Sequence, residues 1–419
     1  MSVGWRDQQA RRAFLAAAEH RTHGSFELVC PDRTFTFGLP GAEPSGMMVV
    51  HDGRVFRRAL WDGELGLGES YMDGDWSSPD LVALLRLALR NLEAFLQLNT
   101  SLSAISRWAH RIGHAWRSNT HTGSRRNIAA HYDLGNDFFG LFLDRDLVYS
   151  AAWYERDDDT LERAQTQKFD RICRKLQLEP RDHVLEIGAG WGAFAAHAAV
   201  HYGCRVTTTT ISREQHEYAA ARFARLGDAG RRITLLGDDY RALTGRYDKI
   251  VSIEMFEAVG LAHYDAFFAA CDRLLSPVGA ALLQTITISE QSFPEYRRTG
   301  DWMQTYVFPG SELACLSEML RSLGRVTALR PFHLEDLGLH YARTLRAWRA
   351  RLTERRDDVR ALGMNERFIR LWDLYLAYCE AAFAERHISD VQLLLTRAYH
   401  DGRYIGETTP TSSARALAY

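Results

Sequence analysis

Val184-Leu185-Glu186-Ile187-Gly188-Ala189-Gly190-Trp191-Gly192 is the stretch that decides the fold. Its first four residues form a short apolar strand. Three alternating glycines follow, and residues 194–201 carry a helical pattern. Glycine permits the tight turn and lets a ligand come close to the backbone. The third glycine arrives one residue too early for the dinucleotide fingerprint GxGxxG. Downstream, residues 205–210 (Arg-Val-Thr-Thr-Thr-Thr) are β-branched and strand-like, and a helix runs from Ser212 to near Gly227. Residues 233–236 and 249–253 are two further strands, 263–275 a helix and 280–288 a fifth strand. Alternation of this kind predicts an α/β fold with a mostly parallel, doubly wound sheet.

The 419 residues allow two or three domains at roughly 100–200 residues each. A composition of 46% hydrophobic and 25% charged residues excludes a disordered chain, a collagen-like fibre and a disulfide-stapled miniprotein. A net charge of −2 excludes polyanion binding driven by bulk charge, so no nucleic-acid partner is expected. The six cysteines, Cys30, Cys173, Cys204, Cys271, Cys315 and Cys379, form no CxxC pair, which predicts reduced, mostly buried thiols and no metal site. Of the 51 basic residues, Lys168, Lys175 and Lys249 are the lysines. A GC-rich coding genome accounts for such a bias. The opening MSVGWRDQQARR has no apolar h-region, so no signal peptide is expected.

Ahead of the glycine turn, residues 26–29 and 34–37 look like short strands joined at Pro31-Asp32. Val49-Val50 and Val55-Phe56 flank a turn at 51–54, and the glycine-rich residues 63–76 are expected to be tightly bent. Residues 79–98 have a helical period, and Arg86, Arg90 and Glu93 mark that helix as soluble rather than membrane-spanning. Between Glu93 and Asp133 there is no acid, but there are five arginines together with Trp108 and Trp116. Such a segment suits either a solvated linker or a surface laid on an anionic membrane. These shifts divide the chain into an N-terminal domain with a basic helical connector suited to a lipid or membrane surface (1–115), an α/β domain (116–405) and a loose tail (406–419).

The hydrophobic-acidic-hydrophobic-GxGxG form resembles motif I of class I S-adenosylmethionine (SAM) methyltransferases. Further segments extend the likeness: 66–74 (GLGESYMDG), 131–139 (HYDLGNDFF), Tyr149-Ser150, 210–215 (TISREQ), 239–241 (DYR), 255–260 (MFEAVG) and 306–309 (YVFP). Together, and in this order, they resemble the cyclopropane-fatty-acyl-phospholipid synthases and the mycolic-acid methyltransferases. The resemblance implies a SAM site built from Tyr149, Ser150, Gly188, Ala189, Gly190, Trp191, Gly192, Thr210, Gln215, Asp239 and Tyr240. Ser212 and Gln215 also form a capping box, and spacing alone leaves both readings of that segment open. His131, inside the signature, is read as a substrate- or cofactor-loop residue.

The family uses a bound bicarbonate as base, and its five positions correspond to Ala151, Glu257, Gln284, Ile286 and Tyr341. Ala151 stands where the family has cysteine and Gln284 where it has histidine. Glutamine can hydrogen-bond an oxyanion but cannot carry positive charge, which puts bicarbonate in question. Cys379 matches a cysteine sometimes given a catalytic role, and its plain alternative is a small buried apolar side chain. The implied reaction moves the SAM methyl onto the C=C bond of an unsaturated acyl chain through a carbocation. Loss of a proton then gives a cyclopropane or a methyl- or methylene-branched chain. Tyr149, Trp153, Phe256 and Tyr306 are candidates for facing the cation, and Glu257 for orienting or being the base. Glu254 is either its partner or a buried-edge carboxylate. A phospholipid membrane surface is the expected partner, with a cytoplasmic, peripherally membrane-associated protein and avidity favouring a homodimer. The alternatives are a non-catalytic SAM- or lipid-binding relative and a methyltransferase of a soluble small molecule.

Overall fold

The computed structural model describes residues 5–39, 41–92, 135–298, 302–398 and 400. The basic segment with Trp108 and Trp116, His131, the boundary at 115/116 and the tail from 406 lie outside the described residues. The N-terminal region holds a four-stranded sheet of β1 (Ser25–Val29), β2 (Thr34–Phe37), β3 (Ser45–Val50) and β4 (Trp76–Ser77), in the order β2-β1-β3-β4. Three helices accompany it: α1 (Trp5–Glu19), α2 (Arg54–Met72) and α3 (Leu81–Arg90). In α3 the Asp80 carboxylate accepts from the Ala83 amide at 2.9 Å, and Leu81, Leu84 and Leu87 are buried.

The expected bend at 63–76 is instead mostly helix. Val55-Phe56 begin α2, and a single kink at Gly63 (φ 57°, ψ −129°) interrupts it. The glycines in α2 answer packing rather than turning. A Cβ at Gly66 would meet the Arg58 carbonyl oxygen at 2.3 Å, and one at Gly68 would meet the Trp302 ring at 2.6 Å.

The second sheet has seven strands: β5 (His183–Ile187), β6 (Arg205–Thr209), β7 (Ile233–Leu236), β8 (Tyr247–Ile253), β9 (Leu275–Ile288), β10 (Arg330–Asp336) and β11 (Ile388–Thr396). Their order is β10-β11-β9-β8-β5-β6-β7. The five strands read from the sequence pair in parallel, while β11 runs antiparallel to both β9 and β10. The central strands are largely buried because helices cover both faces. Helices α4 (Leu161–Lys175), α5 (Arg213–Ala224), α6 (Tyr264–Leu274), α7 (Gly338–Glu354) and α8 (Glu366–Ala384) complete the scaffold.

Helix α8 joins the two sheets. Its face packs on α2, α3 and α7. Tyr71 Oη donates to Asp373 at 2.5 Å, Arg370 donates to the Trp76 carbonyl at 2.7 Å, and Arg86 and Arg90 both donate to Glu385. One hydrophobic cluster therefore runs from Phe26 and Leu28 to Trp348 and Tyr375. None of the six cysteines is in a disulfide, and all six are buried. Among the described residues no helix is long and apolar enough to cross a membrane.

Candidate active site

The glycine turn leaves β5 with φ of 97° at Gly188, 50° at Gly190 and 83° at Gly192. Each lies in the left-handed region where glycine carries little steric cost. The amides of Gly188 and Ala189 are held by the Thr209 carbonyl at 3.1 and 2.9 Å. A Cβ at Gly188 would sit 3.0 Å from the Met255 side chain. Gly192 serves packing instead, since a Cβ there would meet Phe223 at 2.7 Å. Trp191 is aimed by Asn136 of the signature segment, whose Oδ1 accepts from the indole Nε1 at 2.6 Å, and its ring lies against Phe139.

A cavity of about 1060 Å³ opens beside this turn. Tyr149, Ser150, Gly188, Ala189, Gly190, Trp191, Thr210, Gln215, Asp239 and Tyr240 line it, and Gly192 does not. The Ser212 hydroxyl caps α5 by accepting from the Gln215 amide at 3.3 Å, so half of the capping box forms. The other half is replaced: Thr210 Oγ1 donates to Gln215 Oε1 at 2.8 Å and accepts from the Ser212 amide at 3.2 Å. Segment 210–215 thus caps a helix and also walls the cavity. Asp239 is held by Arg241, with the guanidinium Nη2 2.6 Å from Oδ2. Glu186, also on the wall, accepts from Thr208 Oγ1 at 2.5 Å, and burial pushes its carboxyl up to about 8.

The same cavity is lined by two carboxylates, Glu254 and Glu257, from the turn that follows β8. Glu257 Oε1 accepts from the Ile286 amide at 2.5 Å and from Thr285 Oγ1 at 3.0 Å. Its Oε2 is buried without a hydrogen-bond partner among the described residues. Burial, and after it the Glu254 charge, raises the Glu257 carboxyl to about 7. Glu254 Oε1 accepts from the Ala151 amide at 2.7 Å and from Gln284 Nε2 at 2.9 Å, while Oε2 accepts from Tyr341 Oη at 2.7 Å.

Behind this pair runs a polar chain with a defined direction. Lys175 Nζ donates to Gln392 Oε1 at 2.6 Å, and Gln392 Nε2 donates to Gln284 Oε1 at 3.0 Å. Gln284 Nε2 then donates to both Glu254 and Asp390, the latter at 2.9 Å. Lys168 is fully buried and donates to Ser150 Oγ at 2.6 Å. Burial lowers the Lys168 ammonium to about 8, against the pull of Glu254, Asp144 and Asp390.

The five positions implied for bicarbonate therefore do come together, but their donors already have partners. Ala151, Gln284 and Tyr341 serve Glu254, and Ile286 serves Glu257. Ala151 and Gln284 are fully buried behind the Glu254 side chain. A free oxyanion would have to displace that side chain and join three acids, Glu254, Glu257 and Asp390, in one buried space. These residues do not fit the ion.

Cys379 lines the cavity from α8. Of the four aromatic candidates, Tyr149 borders the cavity and the other three do not. Trp153 is sandwiched by Arg171 and His340. Phe256 turns into a separate core with Tyr264, Phe267 and Phe268. Tyr306 Oη donates to Glu69 at 2.5 Å. Phe308, Tyr375 and Phe383 are the aromatic wall that the sequence did not reveal. Glu254, Lys168 and Asp390 were likewise missed as a group. The scarcity of lysine was the available signal, because Lys168 and Lys175 are both buried.

A model of the mycolic acid cyclopropane synthetase family matches residues 119–393. The tuberculostearic acid methyltransferase UfaA1 of Mycobacterium tuberculosis is 36% identical over 388 residues, covering 90% of this chain and 88% of that protein. The cyclopropane-fatty-acyl-phospholipid synthase of Escherichia coli K12 is 36% identical over 366 residues, covering 87% and 91%. Among solved structures, mycolic acid cyclopropane synthase CmaA1 complexed with SAH and CTAB is 33% identical, with a TM-score of 0.60, over 65% of this chain and 98% of that one. The cyclopropane synthase MmaA2 from Mycobacterium tuberculosis gives 32% and 0.61 with the same coverage.

Proposed function

This chain belongs to the mycolic acid cyclopropane synthetase family, and from that premise we propose that it moves the methyl group of SAM onto the C=C bond of an unsaturated fatty-acyl chain of a phospholipid. Its seven-stranded sheet is that of a class I SAM-dependent methyltransferase. The observation that carries the proposal is the reach of a single cavity. The glycine turn, the carboxylates Glu254 and Glu257, and hydrocarbon from Phe14, Phe26, Met48, Leu84 and Leu87 of the N-terminal region all line it. Its volume of about 1060 Å³ is at the top of the range of roughly 300–1,000 Å³ usual for small-molecule pockets. That suits a site holding a cofactor and a chain at once.

The residues present fit the cofactor: the glycine turn gives close backbone approach, and Tyr149, Thr210, Gln215, Asp239 and Tyr240 surround it. When bound, SAM supplies an electrophilic methyl on a cationic sulfur. An isolated alkene is a weak nucleophile, and its attack leaves a carbocation on the chain. The water-poor wall of Tyr149, Phe308, Tyr375 and Phe383 protects that cation from capture, and aromatic faces stabilise it. The carboxylates of the cavity wall then take up a proton. A proton lost from the transferred methyl closes a cyclopropane; one lost from a chain carbon leaves a branched chain.

The N-terminal region serves, in this proposal, to present the lipid. Trp61 and Leu92 are 48% and 40% exposed and border the same cavity. Leu92 is followed by Glu93, after which the acid-free, arginine-bearing stretch begins. Exposed apolar side chains, followed in the sequence by a basic segment, suit peripheral contact with an anionic bilayer.

Incubation with methyl-labelled SAM and vesicles of monounsaturated or fully saturated phospholipid tests the proposal. Label is expected in the acyl fraction of the unsaturated lipid alone. Cofactor binding with no acyl label, or label only in soluble products, would overturn it.

A further inference from the structure

We propose that Glu254 takes the place of the family's bicarbonate ion: tethered at the end of β8, its carboxylate fills the oxyanion-binding donors and removes the proton from the alkylated chain. The inference rests on the reaction proposed above and adds the identity of the base.

Three observations carry it. The first is the donor set. Ala151 N, Gln284 Nε2 and Tyr341 Oη belong to three of the five positions implied for the ion, and all three are spent on Glu254 at 2.7–2.9 Å. The second is backbone conformation. Glu254 has φ 46°, a left-handed value that costs a non-glycine residue roughly 1–2 kcal/mol. Its amide is pinned there by the Gln284 carbonyl at 2.8 Å. A position that glycine would occupy without strain is held by an acid whose side chain reaches into the cavity, and strain kept at such a place points to a working side chain.

The third is the pair of departures from the family pattern. Gln284 must donate to Glu254 and Asp390 while accepting from Gln392. A primary amide offers two N–H donors and a carbonyl acceptor, which matches this demand; an imidazole has only two ring nitrogens and cannot make all three bonds. Ala151 contributes its backbone amide alone, and its methyl leaves room for the glutamate. The two substitutions and Glu254 thus form one arrangement.

The step balances without an added co-reactant. The methyl–sulfur bond breaks with its electron pair staying on sulfur, and the methyl carbon bonds to one alkene carbon. A C–H bond next to the resulting cation breaks, its electron pair fills the vacant carbon orbital, and the proton forms an O–H bond on Glu254. Burial raises the Glu254 carboxyl, which favours uptake of the proton, and the nearby buried cation Lys168 opposes that shift and favours its release before the next turnover.

The test uses the full-length protein in carbon-dioxide-free buffer, with and without added bicarbonate. Wild-type acyl methylation is expected to be unchanged by bicarbonate, and ¹³C-bicarbonate NMR is expected to show no binding. Glu254→Gly, which the left-handed backbone accommodates, is expected to lose about 10²-fold in rate, to bind ¹³C-bicarbonate, and to recover part of its rate when the ion is added. Glu254→Gln keeps the side-chain volume and is expected to lose as much without recovery; SAM binding by calorimetry checks that both variants are folded. Bicarbonate-dependent turnover or bicarbonate binding by the wild type would overturn the inference, as would full activity in Glu254→Gln. The binding arm needs no turnover, so a wild type that methylates no lipid would defeat the proposed function while leaving this inference still decided by the NMR result.

Discussion

The two polar parts of the cavity wall, the glycine turn and the carboxylates, deal with charge in opposite ways. Around the glycine turn Asp239 is neutralised by Arg241, and burial keeps the proton on Glu186 up to about pH 8. At the carboxylates Glu254 and Asp390 share the pull of the buried cation Lys168, while the Glu254 charge helps to raise Glu257 beside them. A cofactor that already bears a positive charge needs close approach and little else. A fleeting carbocation needs an acceptor held in place before it forms, and that requires buried side chains from several segments. Changes at the turn should act on cofactor binding, and changes at the carboxylates on the rate of the chemical step.

The largest expected effect is at the carboxylates. Glu257→Gln should lower kcat by about 10²-fold, with SAM affinity measured by calorimetry unchanged within about twofold. Equal losses in both would erase the contrast between the two parts. Next comes Gly188→Ala, where φ of 97° and Met255 at 3.0 Å both oppose a Cβ. A cost of roughly 1–2 kcal/mol corresponds to a SAM affinity about 5–30-fold weaker, while kcat at saturating SAM should hold. An unchanged Kd would show that the turn does not contact the cofactor.

Glu186→Gln sharpens the comparison through stability. The folded protein holds the Glu186 proton to about pH 8, whereas an unfolded glutamate releases it near 4.3. The native state therefore binds the extra proton, and stability falls as pH rises between those values. Glutamine can still accept from Thr208 and has no proton to lose. The variant should gain on wild type in apo-protein melting experiments as pH rises from about 5 to 8, and an unchanging difference across that window would contradict the shift. The smallest effect is expected at Cys379, a cavity-wall thiol with 7% exposure. Cys379→Ala should stay within about threefold of wild-type kcat, as befits a small apolar side chain. A loss approaching that of Glu257→Gln would assign it to the chemistry.

What could be read in the sequence follows the same division. The turn at 188–192 is local: strand, glycines and helix lie within a dozen residues, so pattern alone placed it. The carboxylate site is assembled across the chain. Glu254 receives donors from positions 103, 30 and 87 residues away, and nothing beside it in sequence announces them. Phe256 misled for a related reason, since the left-handed turn at Glu254 sends the next aromatic into another core. The glycines at 66 and 68 misled because close packing on Arg58 and Trp302 outweighs their weak helix propensity. Strands β10 and β11 went unread; β10 has an exposed, charged pattern, and its place is fixed by pairing with β11.

The most direct test of the central claim is mass spectrometry of acyl chains after reaction with trideuteromethyl-SAM and a monounsaturated phospholipid. Acyl chains that have gained one carbon are expected, retaining two deuteriums where the ring closes or a methylene branch forms, and three where the proton leaves a chain carbon and a methyl branch remains. Unmodified acyl chains under conditions in which SAM is bound would contradict methyl transfer to lipid in this cavity.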